Sequence, residues 1–244
     1  MKDTISPFGG FDKKALEFLG SLEHERYNNT VWFNKNRDTY DNSIVIPSKA
    51  FVQSIGQFFN HLNPSIRTEP KFNKTLMRIS KDMRFAKGLP YKTYFLIHFG
   101  KFKMDSEFYV YLDKNGISYG MFLNNSTGDE LYFNQNFVRF NTDILNTCER
   151  FGINKKFMLS ELNKEPELRI KNFDAKKNLA LLGTMKFILL EKQLTIKDNL
   201  IFSPDFLTEA IKTFSRLYPL YCFAVSPDPL RLIEEFDERM GIAL

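Results

Sequence analysis

KFNKTLMRISKDMRFAKGLPYKTYFLIHFGKFK, residues 71–103, decides how this chain is read. It carries nine Lys or Arg against one acid, Asp82, a net charge of +8, whereas all 244 residues together sum to +5. The excess is local, and a local excess of this sign attracts anions. From Leu76 to Phe85 apolar and polar residues alternate. Met77, Ile79, Met83 and Phe85 share one parity, and Arg78, Ser80, Asp82 and Arg84 the other. In a strand that parity places the first set on a core and the second in a row on the opposite face. Lys81 breaks the apolar parity and marks a strand end or bulge. Ala86-Lys87-Gly88-Leu89-Pro90 reads as a tight loop, since Gly88 tolerates positive φ and Pro90 biases Leu89 towards extended backbone. Tyr91–Phe99, rich in aromatic and β-branched residues, resumes as a strand.

Pairing of these two strands gathers Arg78, Arg84, Lys87 and Lys92 into one basic patch. Two readings stand. The first is a solvated face, with Asp82 bridging its arginines at about 0–1 kcal/mol per exposed pair. The second is an anion site, because the planar fork of arginine suits bidentate phosphate or carboxylate. In that site Asp82 orients an arginine or acts as the catalytic base. Trp32 and Tyr91 line its apolar side, and Lys35 adds a further cation. The leading expectation is a small phosphorylated or carboxylated ligand. Nucleic acid is the alternative, since Phe72, Phe85, Tyr91, Tyr94 and Phe102 are interleaved with the cations, as in single-strand binding. An acidic protein partner is the third.

The flanking sequence supplies helices. Asp12 caps a first helix striped by Ala15, Leu16, Phe18, Leu19 and Leu22. Asn28 or Asn29 caps a second, with Trp32, Asn36 and Tyr40 on one face. Pro47 opens a third, which ends at Asn63-Pro64. Asn115-Gly116 predicts a type I′ hairpin between Phe108–Leu112 and Ile117–Leu123, with Tyr109 facing Phe122 and Leu112 facing Tyr119. A helix is expected from about Glu130 to Phe151, and an irregular charged segment over 152–178. An apolar run over 184–190 reads as a late strand. Ser203-Pro204-Asp205 and Ser226-Pro227-Asp228 start two last helices.

The central motif carries a resemblance. Arg78-Ile79-Ser80-Lys81-Asp82-Met83-Arg84-Phe85-Ala86-Lys87, followed by Pro90-Tyr91-Lys92-Thr93, resembles the signature of the bacterial family known as domain of unknown function 2461. Asn28-Asn29-Thr30-Val31-Trp32-Phe33 with Lys35 and Tyr40, Phe108-Tyr109-Val110, and the region 204–219 resemble further parts of it. The chain departs from the family pattern at Ala86 (usually Ser), Gly88-Leu89 (usually Asp-Lys), Lys81 (usually Arg) and Tyr94 (commonly His). The resemblance implies one compact fold and a site at this motif, and carries no activity with it.

Composition bounds the rest. Hydrophobic residues make up 43% of the chain, including 26 Phe, enough for a sizeable core. Cys148 and Cys222 read as free buried thiols. No uninterrupted apolar run approaches the roughly 18 residues that span a bilayer, and Met1–Ile5 leads into no signal sequence. The expectation is a reduced, cytoplasmic protein without membrane contact. His24, His61 and His98 are dispersed, so no metal is implied; no Gly-rich phosphate loop appears, and no cofactor is implied. The chain is expected to form a single domain over 1–244, of the α+β class. An antiparallel β-meander (about residues 74–123, plus a late strand near 184–192) packs against helices from both ends of the chain.

Overall fold

The computed structural model describes residues 6–102 and 105–241. Lys103, the last cation of the basic stretch, and Met1–Ile5, where no signal sequence is expected, lie outside them. Six strands form one antiparallel sheet: β1 (Phe95–Phe99), β2 (Glu107–Asp113), β3 (Gly116–Asn124), β4 (Met158–Leu162), β5 (Pro166–Ile170) and β6 (Phe187–Thr195). Their spatial order is β1-β2-β3-β6-β4-β5. The architecture is α+β.

Helices from both ends of the chain cover one face. The N-terminal set is α1 (Lys13–Ser21), α2 (Thr30–Lys35), α3 (Arg37–Tyr40) and α4 (Ile46–Leu62), with one π turn over Asp41–Val45 joining the last two. Asp12 caps α1 through Lys14 N, and Asn29 caps α2 through Trp32 N. Helicity is interrupted at Asn36, whose side chain donates to Trp32 O, so Trp32 and Tyr40 stand on separate helices. After the meander come α5 (Phe133–Arg139), α6 (Asn141–Arg150) and α7 (Ala175–Thr184), then α8 (Asp205–Val225) and α9 (Pro229–Met240). The single helix expected from Glu130 to Phe151 is thus two, broken at Phe140 (φ −120°, ψ 32°).

The sheet face that meets these helices is phenylalanine-rich because every second strand residue points at them. Phe95, Ile97 and Phe99 of β1 are buried there with Phe108, Val110 and Leu112 of β2. Phe59 of α4 stacks on Phe99 at 4.6 Å, and Phe214 of α8 meets Phe108 at 5.3 Å. Truncating one such buried ring costs about 3–5 kcal/mol. Both cysteines are free and buried in the same core. No helix among the described residues is long and apolar enough to cross a membrane.

Three expectations need correction. The β2–β3 hairpin exists, but Tyr109 faces Gly120 and Leu112 faces Ile117. The register is two residues off the expected one because Asp113 Oδ1 accepts from Asn115 N and Gly116 N. That moves the turn onto Lys114-Asn115, neither of which has positive φ. A slip of two keeps every side chain on its own face. Second, residues 152–178 are not irregular. They contain the β4–β5 hairpin, held by Arg169 on Glu161 and bonded to β6. Third, the meander does not begin at residue 74: β1 is its first full strand, and residues 75–80 contribute isolated bridges.

Gly120 sits where β3 and β6 approach closely. A Cβ there would lie 2.1 Å from Leu190 O, a contact that backbone must move to relieve. Gly120→Ala is expected to cost roughly 3 kcal/mol, the upper end for overpacking. Urea unfolding checks it, and a loss below about 0.5 kcal/mol, the ordinary surface value, contradicts the close approach.

Candidate functional site

The basic stretch begins as an extra partner for β1. Met77 N donates to Leu96 O at 3.0 Å and His98 N to Thr75 O at 2.9 Å. It then leaves the sheet as a short hairpin of its own. Lys92 N donates to Ile79 O, Lys81 N donates to Pro90 O, and Ser80 bridges Tyr91. At the tip Asp82 ends the extended run. Its carboxylate accepts from Arg84 N while its carbonyl accepts from Phe85 N and Ala86 N, so the chain makes one helical turn. Local capping by an aspartate competes with strand pairing, and here it wins. Ile79 is buried as the parity predicts, but Met83 is 46% and Phe85 86% exposed. The row Arg78–Ser80–Asp82–Arg84 therefore does not stand on a sheet face; it belongs to a projecting loop. Gly88 closes the tip at φ +85°.

The base of this hairpin is fixed. Asn28, only 2% exposed, donates to Tyr91 O (3.0 Å) and Leu22 O (2.6 Å) and accepts from Tyr91 N (2.9 Å). Its amide imitates a neighbouring strand, so the capping region of α2 and the hairpin move as one. The Tyr91 ring stacks on Phe33 at 4.2 Å and 10°. Trp32 turns the other way, onto Phe18 at 5.3 Å and Tyr27 at 5.4 Å. Phe33 is therefore the α2 residue that meets Tyr91. Lys35 is exposed. Among the described residues no hydrogen bond or ion pair joins Trp32 or Lys35 to the hairpin's cations.

The cations differ in their commitments. Arg84 holds Asp82 in a bidentate pair, Nε–Oδ1 2.9 Å and Nη2–Oδ2 2.7 Å. That hydrogen bonding, first from the guanidinium and then from the backbone N–H, keeps the exposed Asp82 carboxyl below its ordinary range. The pair fixes the Arg84 guanidinium beside the Asp82 carboxylate. The Lys92 ammonium donates to Arg78 O; burial, then the charge of Lys81, lowers its pKa. Arg78, Lys81 and Lys87 form no ion pair among the described residues.

The opposite, outer face of the sheet holds a network that the sequence reading did not find. His98, Tyr109, Gly120 and Glu191 lie in register across β1, β2, β3 and β6. Because Gly120 has no side chain, the Tyr109 hydroxyl spans β3 and donates to Glu191 Oε2 at 2.6 Å. Ser160 Oγ donates to Glu191 Oε1 at 3.3 Å, and His98 Nδ1 lies 2.8 Å from Glu107 Oε2. Tyr94 stacks on Tyr111 at 4.9 Å. Glu191 is 4% exposed, and burial raises its pKa; burial and the facing Glu191 raise that of Tyr109. The one sequence signal was a glutamate within the apolar run 187–191; its partners come from strands far apart in sequence.

Two predictions follow from this geometry. Asn28→Ala leaves the Tyr91 N–H and C=O without their partner. A loss of about 2–3 kcal/mol is expected, with faster amide exchange at Lys81, Tyr91 and Lys92; unchanged exchange there contradicts the clamp. For Glu191 the folded pKa lies above the ordinary 4.5, so folding favours the protonated form. The stability it brings is complete at low pH and is lost as pH rises through the folded value. Stability of Glu191→Gln should therefore fall less than wild type as pH rises from 4.5, read by denaturant titration at several pH values. Parallel curves would remove Glu191 as a buried titrating group.

A search of curated proteins finds no match to the chain. The family model described as "Conserved hypothetical protein (DUF2461)" matches residues 14–223, a span that takes in the α2 cap, the basic hairpin, the whole sheet and most of α8. The chain belongs to that family, domain of unknown function 2461.

Proposed function

We propose that the Arg78–Lys92 hairpin is a docking surface for a phosphate-bearing polymer, single-stranded nucleic acid. The observation that carries this reading is Phe85, 86% exposed at the tip of a loop with five cations and one acid. An exposed ring beside cations is the arrangement in which bases stack while phosphates are neutralised. Arg84 lies 5.6 Å from the Phe85 ring, so a base on that ring also meets a guanidinium. Arg78, Lys81 and Lys87 are free to contact phosphates, and Tyr91 and Lys92 serve the frame.

The same geometry weighs against a small ligand held by these residues. Small-molecule sites are concave and bury most of their ligand, whereas the hairpin projects and its tip is exposed. A polymer needs no enclosure, because its affinity comes from many phosphates in sequence.

Fluorescence anisotropy with a labelled oligothymidylate tests the proposal. Affinity should fall steeply between about 50 and 200 mM salt. Phe85→Ala should weaken binding by about 1–3 kcal/mol at every salt concentration. Lys81→Ala and Lys87→Ala should each reduce the salt slope by about 1. No binding at low salt, or binding indifferent to all three substitutions, overturns it.

A further inference from the structure

A second basic site lies on the other side of the sheet's middle strands. β3 pairs with β6 from Gly116↔Thr195 to Asn124↔Phe187, but β4 pairs with β6 only as far as Met158↔Glu191. Beyond that point one edge of β6 is open, and beside it lies a cleft of about 320 Å³. Lys155, Lys156, Lys171 and Lys192 line it, and Glu191 is the one acid among the lining residues. The Glu191 carboxylate is already engaged by Tyr109 and Ser160.

The rims are fixed to each other. Lys155 N donates to Phe173 O at 2.6 Å and Phe173 N to Phe157 O at 2.9 Å. These bonds tie the segment before β4 to the segment after β5, which sets Lys155 and Lys156 opposite Lys171. The four ammoniums are unequally committed. Lys192 is held by Glu209 at 2.7 Å, and Lys155 reaches Asp174 only at 3.9 Å. Lys156 and Lys171 form no ion pair among the described residues.

The backbone adds a donor. Ile196 N donates to Asn115 O, so in the alternation of an antiparallel ladder the even residues of β6 bond to β3 and the odd ones face β4. Glu191 still finds Met158 opposite, while Gln193 faces the cleft and lines it. Met158 and Leu194, both half-buried, give the cleft its apolar side, with the buried Phe157 and Tyr119 behind it.

We infer that this cleft is a binding site for a small organic phosphate, its phosphate on Lys156, Lys171 and the Gln193 amide edge and its apolar part against Met158 and Leu194. A phosphate dianion matches two uncommitted ammoniums in charge and offers oxygens to each, and lysine binds phosphate as a point charge. The volume, about 320 Å³, falls at the lower end for small-molecule sites, which suits a compact ligand. The site is independent of the hairpin, so either reading can fail alone.

Isothermal titration calorimetry with inorganic phosphate and with phenyl phosphate tests it. Phenyl phosphate should bind saturably and at least about tenfold tighter, as burial of a ring against an apolar wall implies. The double variant Lys156→Ala/Lys171→Ala should weaken it at least about tenfold, the scale of one lost charge-assisted contact. The charge-matched control Lys14→Ala/Lys212→Ala, with both residues exposed and remote in sequence, should bind like wild type. The Gln193 amide resonance should shift on titration in the wild-type protein, which needs no substitution. No saturable binding, equal loss in both double variants, or a silent Gln193 amide overturns the proposal.

Discussion

One packing joint organises this molecule: Phe59 of α4 and Phe214 of α8, 5.8 Å apart, press together on Phe99 and Phe108 of the sheet. The two helices come from opposite ends of the chain, so the sheet's apolar face can be closed only when both have arrived. Closing that face commits the other, because each strand residue that points at the helices leaves neighbours pointing away. The outer face therefore receives His98, Glu107, Tyr109, Tyr111 and Glu191 as a consequence of the core. Polar groups in such numbers are tolerable only when they satisfy one another, and the Tyr109–Glu191–Ser160 bonds do that.

The same argument explains where the two charged features lie. A sheet with one buried face has its freedom at its edges. At one edge, residues 75–77 pair briefly with β1 and then leave, and the segment that leaves becomes the basic hairpin. Its base is rigid because Asn28 occupies both hydrogen-bonding groups of Tyr91; its tip projects because Asp82 turns the chain before a second full strand can form. In the interior of the sheet, β4 stops opposite Glu191 while β6 continues to Thr195, and the missing length of partner is the cleft.

Legibility in the sequence followed the same division. Features with a local cause were readable: Asp12 and Asn29 as caps, Pro47 near the start of α4, the hairpin after β2, and the basic stretch as a unit. Features with a non-local cause were not. The alternation from Leu76 to Phe85 looked like a strand, yet of Met77, Ile79, Met83 and Phe85 only Ile79 is buried in the core, and Asp82 decided the rest. Residues 152–178 looked irregular because β5 is an exposed edge strand, held by Arg169 on Glu161 across the hairpin rather than by apolar burial. A strand that buries nothing leaves no period to read. Glu191 was hidden for the opposite reason: it sits in an apolar run, and its justification lies on β2 and β4.

Total charge therefore says less about this chain than the shape beneath each charge. The hairpin and the cleft are both lysine-rich, and a count of cations would assign them one role. Curvature separates them. On the projecting hairpin Arg78, Lys81 and Lys87 are exposed or only partly covered, so each contact contributes little and binding strength must come from repetition along a polymer. In the cleft the β6 edge and the apolar side of Met158 and Leu194 exclude part of the solvent, so two ammoniums and one amide edge suffice for a compact dianion. Arg84 illustrates the first case. Its bidentate partner Asp82 already cancels its charge in an exposed setting, which leaves stacking against Phe85 as the property that distinguishes it from the lysines around it.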